Sequence, residues 1–169
     1  MWCSEAGRAV LAGAFALGLA GCGFEPMYDQ GAPAQAMLGR IAVGPVEGAP
    51  AFELRERLNE RLGGGAEADF ILDVDLELRR TGVALTQENV TTRFNIIGTA
   101  DFALRPASGG EAVVNGQVRN ITGYSAPDSE TASAFASLSA ERDAERRLSR
   151  TLADQIVLRL ALQAEELGP

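Results

Sequence analysis

The sequence predicts an α+β fold: a two-layer sandwich in which two helices pack on one face of a four-stranded mixed, mostly antiparallel sheet. Three observations support it. Alternating apolar and polar residues indicate three long strands joined by short turns. Two segments with leucines at four-residue spacing indicate amphipathic helices, one before these strands and one after them. A sheet with one apolar face needs a cover, which the two helices supply.

The N-terminal segment, residues 1–21, resembles a lipoprotein signal peptide that is removed from the mature protein. Its run of small and apolar residues, 9–20, is shorter than the roughly 20 residues that a bilayer-spanning helix needs. The run fits the apolar core of a secretory signal. It leads into a bacterial lipobox and its cysteine, Leu19, Ala20, Gly21 and Cys22. The alternative is an ordinary signal peptide followed by a chance cysteine.

Cys22 is the predicted lipidation site, because the small residues before it suit the signal peptidase and its thiol accepts a diacylglycerol. Gly23 follows, and the absence of aspartate there favours the outer membrane over the inner membrane. Residues 22–38 are rich in glycine, proline and alanine without a regular period, which predicts an acylated tether. Cys3 leaves with the signal peptide, so the single domain predicted for residues 39–167 contains no disulfide.

The predicted domain begins with a strand and a helix. Residues 40–46 are predicted to form a short strand that Gly44-Pro45 interrupts. Ala49–Leu62 is predicted to be a helix, because Pro50 suits a first turn and leucines recur every four residues on one face. These leucines are Leu54, Leu58 and Leu62. Because a helix joins the first strand to the second, the two strands are either parallel neighbours or not adjacent.

Three long strands follow, at residues 69–85, 91–104 and 111–123. In the first of them, apolar residues at even positions from Phe70 to Leu78 alternate with mostly charged residues at odd positions. This pattern is typical of a half-buried antiparallel strand with one solvated face. Turn-forming segments between the strands predict a meander. The chain ends in a predicted long helix, Ala134–Leu167, whose start the sequence leaves open between residues 131 and 139.

The composition excludes several classes of function. The chain has 169 residues, 15 basic residues that are all arginine, no histidine and a formal net charge of −8. Without histidine there is no Ser-His-Asp or Cys-His machinery and no histidine-bound metal. Without lysine there is no Schiff base. The acidic balance argues against nucleic acid as a partner. We therefore expect neither an enzyme nor a bound cofactor.

A row of carboxylates lies on one face of the first long strand, at Asp73, Asp75 and Glu77. A metal site or an acid/base pair is one interpretation of such a row. The other is the solvated face of an amphipathic strand, which we favour because metal ligands usually converge from several elements. We predict no metal site and no catalytic residue.

The arginines are the better candidates for ligand binding. Arg79, Arg93 and Arg119 fall on or near the polar faces of the strands, with Arg80 beside the first. Arginine binds phosphate in a bidentate fork, so neighbouring strands would combine these residues into a positive patch on an acidic protein. Alternatively, the arginines pair with carboxylates on adjacent strands.

Two parts of the chain resemble the LptE family of lipopolysaccharide-assembly lipoproteins. Residues 22–28, Cys-Gly-Phe-Glu-Pro-Met-Tyr, resemble the family's start, an acylated Cys-Gly-Phe followed by proline, an apolar residue and tyrosine. Residues 140–148, 152–156 and 159–160 are similar to the long helix of its members. The order of strand, helix, meander and helix also agrees, so the resemblance covers nearly the whole mature chain.

The resemblance implies an outer-membrane lipoprotein, anchored on the periplasmic side by acyl chains, that plugs the lumen of the LptD β-barrel. It also implies help with the barrel's assembly and with the delivery of lipopolysaccharide to the cell surface. Family members are described as binding lipopolysaccharide through basic residues, for which Arg79, Arg93 and Arg119 are the candidates here. Two other classes stay open: an auxiliary lipoprotein of a lipid-transporting ABC system and a periplasmic hydrolase. The missing histidine and lysine argue against the hydrolase.

Overall fold

The structure is a computed structural model that describes residues 37–63, 68–85, 91–126 and 134–167. The predicted signal peptide (residues 1–21), the lipobox and Cys22 lie outside the described residues, as does most of the predicted tether. The description of the fold therefore begins where the tether joins the domain.

Six elements are present in the described ranges. They are β1 (Ile41–Val43), α1 (Ala49–Leu62), β2 (Phe70–Leu85), β3 (Thr91–Pro106), β4 (Val114–Ser125) and α2 (Ala134–Leu167). The strands form one sheet in the order β1-β2-β3-β4. β1 is parallel to β2, and the other neighbours are antiparallel. The predicted α+β two-layer sandwich is confirmed, and β1 is the parallel neighbour of β2.

Several strand ends differ from the prediction for local reasons. β1 stops at Val43, because the backbone leaves the sheet at Gly44-Pro45. β4 begins at Val114, later than predicted, because the preceding turn continues through Gly109 and Gly110, whose φ angles are 91° and 126°. Glycine adopts such positive φ values without a steric penalty.

Helix α1 has the boundaries that its sequence signals predict. Proline lies in the first turn, where no helical N–H is lost. At the other end Gly63 adopts a left-handed conformation, and its N–H donates to the Asn59 carbonyl at 3.1 Å. The three leucines at four-residue spacing, Leu54, Leu58 and Leu62, are all buried against the sheet and α2.

Helix α2 packs tightly on the sheet at a glycine of β3. A Cβ atom at position 98 would lie 2.8 Å from Leu152 Cδ1 and 3.0 Å from Leu148 Cδ2. Leu148, Leu152, Ile156 and Leu160 are all buried along the inner side of α2. The absence of a side chain at Gly98 therefore lets these leucines fill the space directly above the strand.

The two helices lie side by side and run in the same direction. Arg57 Nε donates to Asp154 Oδ1 at 3.0 Å, and Arg150 Nη2 donates to Glu53 Oε2 at 3.2 Å. Both pairs are 97 residues apart in sequence, which fixes the parallel register. The hydrogen bond that Arg57 donates to Asp154 raises the pKa of Arg57. Because these side chains are partly exposed, the pairs add little stability compared with the leucine core.

Replacing one leucine under the helix tests this packing. Leu152 has no exposed surface, so Leu152→Ala should lower the free energy of unfolding by about 2–5 kcal/mol, because it leaves a cavity above Gly98. Leu158 on the same helix is 43% exposed, so Leu158→Ala should change the value by less than about 1 kcal/mol. Urea unfolding of both variants measures the difference. Equal losses would contradict the assignment of the buried side of α2.

Candidate functional site

One face of the sheet carries no helix, and we call it the open face. Both helices pack against the opposite face, where the apolar side chains of the strands are buried. The open face is formed by the odd-numbered residues of the three long strands. Its polar and charged members include Asp73, Asp75, Glu77, Arg79, Arg93, Asn95, Thr99, Asp101, Gln117 and Arg119.

Two of the three predicted arginines meet on this face. β3 separates their strands, and Thr99 of β3 lies opposite both Glu77 and Arg119. Arg79 lies opposite Ile97, one pair further along the sheet. Arg79 and Arg119 thus flank β3 on a diagonal and border a shallow cavity of about 200 Å³. The cavity is lined by Glu77, Arg79, Ile97, Thr99 and Arg119.

The two guanidinium groups of this cavity differ in their partners. Arg79 Nη2 donates to Glu77 Oε1 at 3.1 Å, but the two side chains are 73% and 70% exposed. An exposed pair of this kind is weak, so an incoming anion can compete for Arg79. Within the described ranges, no carboxylate forms an ion pair with Arg119. Both arginines are therefore accessible to a phosphate.

Apolar surface adjoins this cationic pair. A second concavity of about 320 Å³ is lined by Ile97, Arg119, Asn120 and Ile121. Ile121 is 55% exposed, which is unusual for an isoleucine in the middle of a strand. A surface that places two arginines beside the exposed Ile121 and the half-buried Ile97 suits an amphiphile with an anionic headgroup and apolar chains.

Arg93 does not join the other two arginines. It lies opposite Ala84 of β2 and Ser125 of β4, at the end of the sheet where β2 finishes and β3 begins. Arg93 precedes Ile97 by four positions on β3, which corresponds to about 13 Å along an extended strand. Arg93 shares the open face with the cavity but lies outside its lining.

The carboxylate row has neighbours typical of a solvated strand face. Arg105 Nη2 lies 2.7 Å from Asp73 Oδ2, and Gln117 Nε2 donates to Asp101 Oδ1 at 2.8 Å. Asp75 lies directly opposite Asp101. Over the part of the chain that the structure describes, no group of three acidic, cysteine or histidine side chains is arranged to hold a metal ion.

Arg80 has a role that the sequence analysis missed. Its guanidinium lies over the Phe94 ring, 5.4 Å from the centroid, and donates to Glu141 Oε1 at 2.9 Å and to Tyr124 Oη at 3.4 Å. The Phe94 and Tyr124 rings stack at 5.2 Å. The hydrogen bond with Tyr124 and the charge of Glu141 raise the pKa of Arg80. The sequence does contain a signal for this role. Arg80 is at an even position of β2, and even positions face the helix-covered side of the sheet.

Glu145 lies one helical turn after Glu141 and completes this cluster. Partial burial raises the pKa of Glu145, and repulsion from Glu141 raises it further. Arg142 and Arg80 act in the opposite direction but do not cancel the effect. The charged form of Glu145 is therefore less stable in the folded protein than in the unfolded chain.

Among the helices of the described residues, none is long and apolar enough to cross a membrane. The fold and the open face together define a scaffold or binding domain: the helices cover one face of the sheet, and arginines and isoleucines lie on the other.

The model of the LptE family, described as lipopolysaccharide-assembly, matches residues 38–160. The chain belongs to the LptE family, a family of lipopolysaccharide-assembly lipoproteins. The matched region runs from the last residue of the predicted tether into the second half of α2, so it contains the whole sheet and α1. The resemblance seen in the sequence is thereby confirmed.

Solved structures of lipoproteins share this fold. A lipoprotein from Caulobacter crescentus is 26% identical, with a TM-score of 0.66 over 82% of this chain and 99% of that one. Rare lipoprotein B from Shewanella oneidensis is 19% identical, with a TM-score of 0.53 over 75% of this chain and 97% of that one. A minor lipoprotein from Acinetobacter baumannii is 15% identical, with a TM-score of 0.53 over 73% and 92%. No curated protein matched the chain.

The environment of Glu145 predicts a pH-dependent stability difference. Because its pKa is raised on folding, ionisation of Glu145 costs stability as the pH rises through the unfolded value of about 4.3 and then the folded value. Glu145→Gln should therefore raise the melting temperature at pH 7. Below about pH 3 the carboxyl is protonated in both states, so the gain should disappear. An increase of the same size at both pH values would exclude ionisation as its cause.

Proposed function

We propose that this protein is an outer-membrane lipoprotein that plugs the LptD β-barrel, helps to assemble it and assists the delivery of lipopolysaccharide to the cell surface. The observation that carries the proposal is the open face, where Arg79 and Arg119 lie beside the exposed Ile121 in a chain of the lipopolysaccharide-assembly family. In this proposal the protein has no catalytic step and no cofactor. Its partners are the barrel, lipopolysaccharide and the membrane, and not nucleic acid.

The chemistry of the ligand matches the two halves of the site. Lipopolysaccharide carries phosphates next to acyl chains. Arg79 and Arg119 would donate charge-assisted hydrogen bonds to a phosphate. Ile97 and Ile121 would contact the first methylenes of the acyl chains. Arg93 is a flanking candidate, since it lies on the same face about 13 Å away along β3.

The dimensions of the sheet suit a plug. β2 and β3 each have 16 residues, which corresponds to about 50 Å of extended chain. The hydrocarbon core of a bilayer is about 30 Å thick, and the interior of an outer-membrane barrel is polar. A rigid wedge of this length, with a polar open face and a charged outer side on α2, could fill such an interior.

Anchoring would come from Cys22. Acylation at this residue would hold the protein at the periplasmic side of the outer membrane, with residues 22–38 as the tether. Each buried methylene of an acyl chain contributes about 0.8 kcal/mol, so two or three chains make the attachment effectively permanent.

Affinity purification of the acylated protein from detergent-solubilised membranes tests the plug. We expect a large outer-membrane barrel to co-purify in a fixed ratio, and the level of that barrel to fall when the lipoprotein is depleted. Cys22→Ala should abolish the incorporation of labelled palmitate. Recovery of an inner-membrane ABC transporter in place of the barrel would favour an auxiliary transport lipoprotein.

The arginine pair predicts a specific loss of lipopolysaccharide binding. The double variant Arg79→Gln/Arg119→Gln should weaken binding by roughly tenfold or more, because two charge-assisted hydrogen bonds are lost. Arg105→Gln is the matched control, since Arg105 lies on the same face of β3 but is paired with Asp73 and lies outside the cavity. Arg93→Gln should have the smaller effect expected of a flanking residue. Surface plasmon resonance on immobilised lipopolysaccharide measures all three variants, and an equal loss in the control would remove the assignment.

A further inference from the structure

The edge of the sheet along β2 is covered over only a short length. β1 pairs with residues 70–72 of β2, whereas β2 continues to Leu85. The β1 backbone turns away at Gly44-Pro45 and leads into α1. Within the described ranges, no strand lies beside β2 on this side after Leu72.

The hydrogen-bond pattern shows which backbone groups point to this edge. Ala107 N–H donates to the Asp69 carbonyl on the β3 side at 2.7 Å, and Gly44 N–H donates to the Leu72 carbonyl on the β1 side at 2.9 Å. In an antiparallel pair, the N–H and C=O of one residue point to the same side, and successive residues alternate. The groups that face the edge therefore belong to Val74, Leu76, Leu78 and Arg80, which we call the free β2 edge.

The free β2 edge is protected against strand addition by charge alone, chiefly by Asp73, Asp75 and Glu77, and a basic segment would neutralise that charge. Natural proteins protect edges with charged side chains, proline, bulges or very short strands. This stretch contains no proline or lysine, and the first irregularity of the β2–β3 ladder comes after Gly82. The opposite edge differs, because Asn120 Oδ1 accepts the outward-pointing N–H of Ile121 at 2.7 Å. One outward N–H of β4 is therefore already engaged within its own strand.

We propose that the free β2 edge accepts an extended segment of the barrel partner as an added strand in line with β1. The inference deepens the proposed plug function and rests on it. Main-chain hydrogen bonds to the edge residues would supply affinity, and alternate side chains would supply specificity. The added segment would join the wall of the barrel to the plug through backbone contacts.

Charge and apolarity on the two sides of β2 define the chemistry of this segment. On the open face the edge strand presents Asp73, Asp75 and Glu77, of which Asp75 faces another carboxylate, Asp101. An added strand would relieve this excess of negative charge by placing arginine or lysine there. On the helix-covered side the edge strand presents Leu76 and Leu78, which are only half-buried. The segment should alternate basic and apolar residues.

Helix α1 supplies further apolar surface on the helix-covered side. Phe52, in its first turn, is 51% exposed. The neighbouring Glu53 pairs with Arg150 of α2. In sequence, Arg150 lies between Leu148 and Leu152, the two leucines of α2 that pack over Gly98. Gly98 lies opposite Leu78, so the start of α1 is at the level of the free β2 edge. Phe52, with the Arg55 guanidinium 5.7 Å from the centre of its ring, is thus exposed apolar surface at this level of the sheet.

Hydrogen exchange of the purified lipoprotein–barrel complex tests this contact directly. The amides of Val74, Leu76, Leu78 and Arg80 should exchange at least tenfold more slowly in the complex than in the free lipoprotein, because they gain hydrogen-bond partners. The outward amides of β4, at Gln117 and Arg119, are the internal reference and should slow less. Unchanged exchange at the β2 amides in an intact complex would overturn the inference and leave the plug function standing.

Two variants test the same contact by affinity. Leu76→Pro removes an outward N–H and spares the β3 ladder, so barrel recovery should fall roughly tenfold, whereas Gln117→Pro on the opposite edge should retain it. Asp75→Arg repels a basic strand and should also reduce recovery several-fold. This second variant does not threaten the fold, because it places an arginine opposite Asp101. Asp101→Arg, the same charge change away from the edge, is its control.

The outcomes separate the two proposals. Wild-type recovery with both Leu76→Pro and Asp75→Arg would overturn strand addition, while the plug function would stand. Failure of the wild-type protein to recover any barrel would overturn both. Loss of recovery with Asp101→Arg or Gln117→Pro to the same extent as with the β2 variants would also overturn the assignment to this edge.

Discussion

The contact of α2 with the sheet at Gly98 is the constraint on which the structure depends. Only one face of the three long strands is apolar, and the absence of a Cβ at this position brings the leucines of α2 down onto β3. Helix α1 is positioned by the same core, because the buried leucines of both helices belong to one cluster, and an ion-paired seam joins the two helices at the surface. With both helices on one side, the other side of the sheet stays open. The availability of the arginine pair is thus a consequence of where the core forms.

On β2 and β3, successive side chains point to opposite faces of the sheet, so the residues that stabilise the core are different from those available for binding. Even-numbered residues such as Leu72, Ile96 and Leu104 are buried and hold the layers together. Odd-numbered residues on the same strands are free to carry charge at little cost in folding free energy. Arg79 and Arg80 illustrate the effect, because adjacent residues point to opposite faces. The first borders the cavity, while the second contacts Phe94 and Glu141 of the covered side.

The sequence predicted the helices and strands well because their signals are local. The Gly63 stop and the four-residue leucine spacing define α1, and strict alternation defines β2. The diagonal meeting of Arg79 and Arg119 could not be read from the sequence, since it depends on the register of both strands against β3. Arg93 has the same residue type and lies on the same face, yet its register places it outside the cavity. The identity of the neighbour of β1 was open for the same reason, because pairing across a connecting helix is non-local.

The parallel seam between α1 and α2 has a consequence for the order of folding. Arg57 and Asp154 are 97 residues apart, and so are Glu53 and Arg150. During synthesis the βα unit at the start of the domain is made before its covering helix. Its leucines therefore remain accessible to water, and to chaperones, until the C-terminal segment is available to cover them. Such long-range closure slows folding and extends the time during which a nascent chain can aggregate.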